Sequence, residues 1–182
     1  MKKIIFLFII LILLLSSFVS AHQPRIACSK DAEKGISVKN PEISKAYYSE
    51  LNGKPHFYTI DSKNNFPIYA GILVPGKNLT YTVSFEISNE SSVIYSGDGS
   101  NFTWWLFYED YGKDHYMAGP EFGSQFKSIQ NFSAGIYTIK VFNDNNKGKY
   151  SLAIGDVEKF SLVEIMRAVV NTIRLKLFFF SR

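Results

Sequence analysis

The stretch from Asn131 to Asp156, NFSAGIYTIKVFNDNNKGKYSLAIGD, constrains the fold more than any other part of the chain. Within Gly135–Phe142, Tyr137, Ile139 and Val141 alternate with Ile136, Thr138 and Lys140, the period-two pattern of a strand with one buried face. The residues from Asn143 to Gly148 then reverse the chain, because Asn, Asp and Gly tolerate left-handed backbone angles or cap turns through their side chains. A second alternation of Tyr150, Leu152 and Ile154 follows, and Gly155-Asp156 ends it. The pattern predicts a β-hairpin. Two strands alone are marginal in water, so the apolar face requires a partner sheet.

The rest of the chain supplies one. Ala46–Leu51, His56–Ile60, Phe66–Leu73, Leu79–Ser88, Ser92–Tyr95 and Phe102–Phe107 are short aromatic and β-branched runs. They are bounded by Asn52-Gly53, Asn64-Asn65, Pro75-Gly76, Asn89 and Gly97-Asp98-Gly99. Thr80–Ile87 is the clearest alternation among them. Tyr108–Gly123, crowded with aromatics, acids and glycines, reads as an irregular loop. The expected fold is all-β: a two-sheet antiparallel β-sandwich, jelly-roll-like, of about eight or nine strands. With 182 residues the chain suits one domain, and 16% aromatic residues can fill its core. The expected divisions are a signal peptide (1–21), an extended arm adding at most one edge strand (22–39), the sandwich (40–156) and a helical tail (157–182).

Lys2-Lys3, the apolar run Ile4–Leu15 and Val19-Ser20-Ala21 have the three regions of a secretory signal peptide. The chain is therefore expected outside the cytoplasm, secreted or at the cell surface, with His22 first after cleavage. An uncleaved N-terminal anchor is the alternative. Cys28 is the only cysteine, so no internal disulfide can form, and it is expected as a small buried residue or a free thiol. A net charge of +4, lower still without Lys2 and Lys3, gives no argument for nucleic acid.

The C-terminus differs in kind. Ser161-Leu162-Val163-Glu164 is a capping box, and Phe160 and Ile165 are spaced for a hydrophobic staple, so a helix starts there. At 100° per residue, Glu164, Arg167, Asn171 and Arg174 form one polar stripe. Leu162, Val163, Ile165, Met166, Val169, Val170, Ile173 and Leu177 fill the opposite side, and Phe178, Phe179 and Phe180 follow. Arg167, Arg174 and Lys176 rule against spanning a bilayer. The apolar side must pack on the sandwich, lie in a membrane interface or contact another chain, with Ile165, Val169, Ile173, Leu177 and Phe179 as the contact residues.

Ser133-Ala134-Gly135-Ile136-Tyr137 and Gly148-Lys149-Tyr150-Ser151-Leu152 resemble the Ala-Gly-x-Tyr and Gly-x-Tyr-x-Leu strands that end the bacterial and archaeal pre-peptidase C-terminal domain. Lys54–Ile60 is similar to that family's early strand and Leu106–Gly112 to its central strand and turn, so the resemblance runs from about Lys45 to Asp156. It implies a sandwich that accompanies secreted enzymes, is itself non-catalytic and in some members binds calcium or polymeric substrate. The chain departs from the family in carrying Trp104-Trp105 where an acid tends to stand.

Trp104, Trp105, Tyr108, Tyr111, Tyr116 and Phe122 are candidates for an aromatic platform that binds a sugar or a peptide, or else they are core and loop cover. Adjacent strand residues face opposite ways, so at most one of the tryptophans points inward. Glu109, Asp110, Asp114 and Glu121 offer oxygen ligands to a hard cation but lack a calcium-loop spacing, which favours solvated acids. A mature amino-terminal His22, with His56 or His115, would suit copper. Asn78, Asn89, Asn101 and Asn131 each begin an Asn-x-Ser/Thr glycosylation triplet. No nucleophile motif or phosphate loop occurs, so neither enzyme activity nor a cofactor is expected. The expectation is an exported, non-catalytic module for binding or surface attachment, with carbohydrate or protein as ligand. A copper protein, or a domain docked through its last helix, is the alternative.

Overall fold

The computed structural model describes residues 22–110 and 112–180. The expected signal segment, 1–21, and Tyr111 lie outside them. The described residues form thirteen strands. They run β1 (Gln23–Ile26), β2 (Ile36–Ser37), β3 (Lys45–Asn52), β4 (His56–Ser62), β5 (Phe66–Ile68), β6 (Ala70–Pro75) and β7 (Ser84–Asn89). After these come β8 (Val93–Gly97), β9 (Trp105–Glu109), β10 (Asp114–Phe122), β11 (Gln130–Phe132), β12 (Gly135–Phe142) and β13 (Lys147–Ile154). Helix α1 (Ser29–Lys34) lies between β1 and β2, and α2 (Leu162–Arg174) follows β13 and runs into a π-helical turn, Leu175–Phe179.

Two sheets make the sandwich, in the orders β1-β3-β13-β6-β10-β9 and β2-β4-β12-β7-β8, and a two-stranded ribbon pairs β11 with β5. The expected β-sandwich is present, but its opening hairpin is not. β12 pairs antiparallel with β4 and β7, whereas β13 pairs antiparallel with β3 and β6, in the other sheet. Asn143–Asn146 is thus an arch between the layers. Asn143 holds it: its amide donates to the carbonyls of Thr82 and Lys147, and its Oδ1 accepts from the Lys147 N–H. Alternation reports one buried face per strand and is silent about which neighbour receives the hydrogen bonds. Tyr137, Ile139 and Val141 therefore face Tyr150, Leu152 and Ile154 across the core, all of them buried.

Other expectations are corrected in detail. The arm (22–39) is built into both layers: β1 pairs parallel with β3 on one sheet, β2 pairs parallel with β4 on the other, and α1 links them. The sandwich therefore reaches N-terminal of residue 40 and is not wholly antiparallel. Cys28 is exposed and free at the start of α1. The loop expected at Tyr108–Gly123 contains strand β10, paired with β6 and β9. Its strand character was masked by Gly119-Pro120, which sit at a register shift between Ala118 and Glu121. A Cβ on Gly119 would fall 2.4 Å from the Trp104 ring, so the irregularity makes room for that indole. Thr80–Val83 precedes β7 and is not strand, although Val83 is fully buried and Tyr81 donates to the Lys149 carbonyl at 2.7 Å.

Tyr58, Ile60, Ile72, Phe85, Ile87, Ile139, Leu152 and Ile154 fill the space between the layers. A second, smaller cluster of Leu73, Tyr116 and Ala118 is covered by Tyr48, Phe107, Phe126 and Phe180. Phe180 arrives from the C-terminal segment, its ring edge-on to Tyr116 at 5.9 Å and to Tyr48 at 6.4 Å.

Candidate functional site

The cap of α2 forms as expected: the Ser161 side chain accepts from the Glu164 N–H at 3.3 Å. The helix then packs in the reverse sense from that of an ordinary surface helix. Glu164 and Asn171 of its polar stripe face the domain, while Arg167 and Arg174 stay exposed. Glu164 pairs with Arg25 of β1 at 2.6 Å and with Arg167 at 2.5 Å, and Asn171 donates to the Pro24 carbonyl at 2.9 Å. Ala168 and Leu175 are the buried residues of this segment, and the small Ala168 lets the helix come close to β1. Further on, Lys176 pairs with Asp114 at 2.5 Å and also donates to the Gly112 carbonyl, while Lys149 donates to the Phe179 carbonyl at 2.8 Å.

The physical cause lies in the surface beneath. Edge strand β1 offers a guanidinium and an open carbonyl, so the polar stripe finds partners there and the apolar arc is left outside. Leu162, Val163, Ile165, Met166, Val169, Val170, Ile173 and Leu177 are 47–82% exposed. Of the expected contact residues, Ile165, Val169, Ile173 and Leu177 lie on this outward arc. Phe179 does not; it turns in against Tyr48 at 5.3 Å. Among the described residues no helix is long and apolar enough to cross a membrane.

The aromatic candidates do not converge. Trp104 is partly buried against the core and donates to the Gly99 carbonyl at 2.7 Å, while Tyr116 and Phe122 are buried. Trp105 is about half exposed and packs edge-on against Phe107 and Phe126. Tyr108, also exposed, lies on His115 at 4.8 Å, and Tyr111 is outside the described residues. The inward tryptophan is Trp104, as the rule of opposite faces allows.

The histidines are also kept apart. His22 bonds Ser44 through Nδ1, His56 bonds the Tyr150 hydroxyl at 2.7 Å inside the sandwich, and His115 stands on β10. Among the described residues no group of three His, Cys, Asp or Glu side chains is placed to hold a metal ion. The loop acids have other partners: Glu109 accepts from the Gly112 N–H, Glu121 from the N–H groups of Gln125 and Phe126, and Asp114 holds Lys176. Asp110 is exposed. Asn78, Asn89, Asn101 and Asn131 are all exposed; Asn89 also caps its own turn, accepting from Ser91 and Ser92, and Asn101 donates to Asp98.

His56 carries a pH prediction. It is fully buried and its Nε2 has no partner among the described residues, and burial holds its pKa below the ordinary 6.5, with Glu33 acting in the opposite sense. An unfolded chain then takes up the proton at a higher pH than the folded one, so stability declines as pH falls below 6.5. His22, pushed down to about 4 by burial, acts with the same sign. The thermal midpoint is expected to drop between pH 6.5 and 4, and more steeply in the wild type than in His56→Phe. Parallel curves would show that His56 is not a source.

A cleft of about 540 Å³ opens between β1, the β2–β3 connection and the first turn of α2. Its lining includes Arg25, Lys39, Lys45, Lys159 and Arg167, with Glu164 among them, and also Ile26, Ile36 and Ile43. No local motif marks these residues. They come together only because β1, β2 and α2 meet at one end of the sandwich.

No family model and no curated protein matches the chain. Among solved structures it is similar to the pre-peptidase C-terminal domain of a collagenase from Bacillus anthracis, at 14% identity and a TM-score of 0.38, over 74% of this chain and 96% of that one. It is also similar to part of the catalytic domain of a GH87 α-1,3-glucanase in complex with nigerose, at 12% identity and a TM-score of 0.29, over 63% of this chain and 22% of that one.

Proposed function

We propose that the chain is a non-catalytic, extracytoplasmic β-sandwich module that attaches to an anionic membrane surface through the outward face of α2. The observation that carries this reading is the reversed helix. A continuous arc of eight large apolar side chains stands in water while Glu164 and Asn171 of the polar stripe are spent on β1. Monomeric soluble domains rarely leave such a patch uncovered. Charge selects the occupant. Residues 161–180 contain three cations, Arg167, Arg174 and Lys176, and their one acid, Glu164, is turned inward. Arg174 is exposed, and Arg167 and Lys176 stay 48% and 42% exposed at the flanks of the arc. An apolar face flanked by basic residues is the pattern of a helix lying in a lipid interface, where it gains both burial and attraction to anionic headgroups.

The test is co-sedimentation of the protein with vesicles of phosphatidylglycerol and phosphatidylcholine. Each large aliphatic side chain withdrawn from water contributes about 1.5–3 kcal/mol, so Val169→Glu/Ile173→Glu should cut partition by roughly 100-fold. Both positions are solvent-exposed, so the fold should keep its unfolding midpoint. Partition should also fall when phosphatidylglycerol is omitted. Equal sedimentation of variant and wild type, or a wild type that elutes as a dimer and ignores vesicles, would overturn the reading in favour of no docking or of a second copy of the chain.

A further inference from the structure

The cleft at the end of the sandwich has a chemistry of its own. Five cations line it against one carboxylate, and that carboxylate, Glu164, is shared between Arg25 and Arg167. Among the described residues Lys39, Lys45 and Lys159 form no direct ion pair, although Glu42 and Glu164 lie near enough to act on Lys45. Lys45 matters most. Only 7% of it is exposed, yet its ammonium is met by two neutral carbonyls, of Asn40 at 2.7 Å and Ile43 at 3.0 Å. A buried ammonium without a counter-ion is costly, and an ammonium has three protons to donate. The α2 N-terminus opens on the same space through Ser161, and its backbone dipole adds positive potential.

We propose that this cleft binds an organic phosphate, its phosphoryl oxygens held by Lys45, Lys39, Lys159 and Arg25 and its carbon body lying against Ile26, Ile36 and Ile43. Phosphate matches the donor set, since lysine ammoniums and a guanidinium both bond it well. The cleft has room for more than a bare ion: about 540 Å³ is the volume of a small-molecule site and accommodates a sugar phosphate or the glycerophosphate head of a lipid. Burial and the neighbouring Arg25 hold the Lys45 pKa down at about 8, with Glu42 and Glu164 pulling the other way. An anion bound in the cleft would give the Lys45 ammonium the directly paired charge that the carbonyls of Asn40 and Ile43 do not supply. Lipid and free ligand share the chemistry named here, and the inference does not depend on docking by α2.

Two arms separate the sources. In the first, glycerol 3-phosphate and inorganic phosphate are titrated calorimetrically into the protein without lipid. One-to-one binding is expected, tighter for the glycerol ester, and Lys39→Ser/Lys159→Ser should weaken it about tenfold or more, as for lost charge-assisted hydrogen bonds. Both lysines are exposed, so the double variant keeps the fold; Lys45→Met, which carries some risk to folding, is the confirming variant. In the second, anionic vesicles are offered to the same variants and to Arg174→Ser, which lies outside the cleft. Binding of the soluble esters supports a free ligand. No soluble binding, but a loss of vesicle partition in Lys39→Ser/Lys159→Ser that exceeds the loss in Arg174→Ser, supports a lipid head. Absence of both effects overturns the proposal and leaves the α2 docking reading where its own test puts it.

Discussion

Replacing Tyr150 by alanine is expected to remove about 3–5 kcal/mol of unfolding free energy, the usual cost of emptying a large buried aromatic site. That is a large part of the 5–15 kcal/mol that holds a domain of this size together. Tyr150 has no exposed surface and lies on β13 where the two layers meet. Its hydroxyl is bonded to His56 Nδ1 at 2.7 Å and to the Tyr58 hydroxyl at 2.8 Å, both on β4 of the facing sheet. One side chain thus joins the layers by packing and by a polar chain through the core. Tyr150→Phe separates the two contributions. The ring stays, but His56, whose Nε2 already lacks a partner, is left with only the long 3.4 Å contact to Ser49. An expected loss of about 1–3 kcal/mol follows from stranding a buried polar group. Urea unfolding followed by tryptophan fluorescence measures both. A Phe variant within about 0.5 kcal/mol of wild type would mean that the polar chain contributes nothing, since changes that small are ordinary at uncritical sites.

That chain also shows why the sequence pattern was correct about burial and incomplete about pairing. Tyr137, Ile139 and Val141 on β12, and Tyr150, Leu152 and Ile154 on β13, were legible as two inward rows and are buried as such. The turn residues between them were legible too. Whether the rows lie side by side in one sheet or face each other depends on hydrogen bonds from strands more than 45 residues away, such as β4 and β7 on one side and β3 and β6 on the other. No local period encodes that choice. The one local trace is Asn143, whose side chain bonds Thr82, outside the turn altogether, and a Thr82 partner is not readable from the turn itself.

The docking face was half legible for a related reason. Periodicity defined the two sides of α2, and Ser161 and Glu164 defined its start. Which side turns inward is decided by the receiving surface, and that surface is β1, drawn from a segment without strong alternation. Gln23, Pro24 and Arg25 become an edge strand only because β3 offers a parallel partner, and Arg25 then captures Glu164. The cleft was not legible at all. Arg25, Lys39, Lys45 and Lys159 are spread over 135 positions and share nothing but their place around one end of the sandwich. The aromatic candidates divide for the same reason: Trp104 and Tyr116 carry a binding-site composition but are consumed by packing, Trp104 through Gly99 and Gly119, Tyr116 beneath Phe180, while Trp105 and Tyr108 stay exposed.

Gly155→Ala is expected to destabilise the fold by about 3 kcal/mol or more, within the range of severe steric and backbone defects, and to damage the cleft in the same step. Gly155 follows β13 with φ at +74°, in the left-handed region, and donates to the Tyr69 carbonyl. A Cβ there would stand 2.5 Å from the Pro41 carbonyl oxygen, 2.6 Å from that of Ile43 and 2.7 Å from the Glu42 carbonyl carbon. All three are backbone atoms of a segment that Asp156 and Val157 tie down by bonding the Glu42 carbonyl, so none can swing aside as a side-chain end would. Gly53→Ala is the control. Its φ of +89° carries the same backbone penalty, about 1–2 kcal/mol, but nothing lies within 4 Å of the added carbon. The difference between the two variants isolates the clash. Because Ile43 and nearby Asn40 supply the carbonyls that hold Lys45, pushing this segment away displaces the ammonium from the cleft. In a folded fraction of Gly155→Ala, glycerol 3-phosphate affinity should therefore fall at least as far as in Lys39→Ser/Lys159→Ser, while Gly53→Ala binds as wild type. Equal stability of the two glycine variants would show that the segment yields freely. The rigid seat assigned to Lys45 would then have no basis.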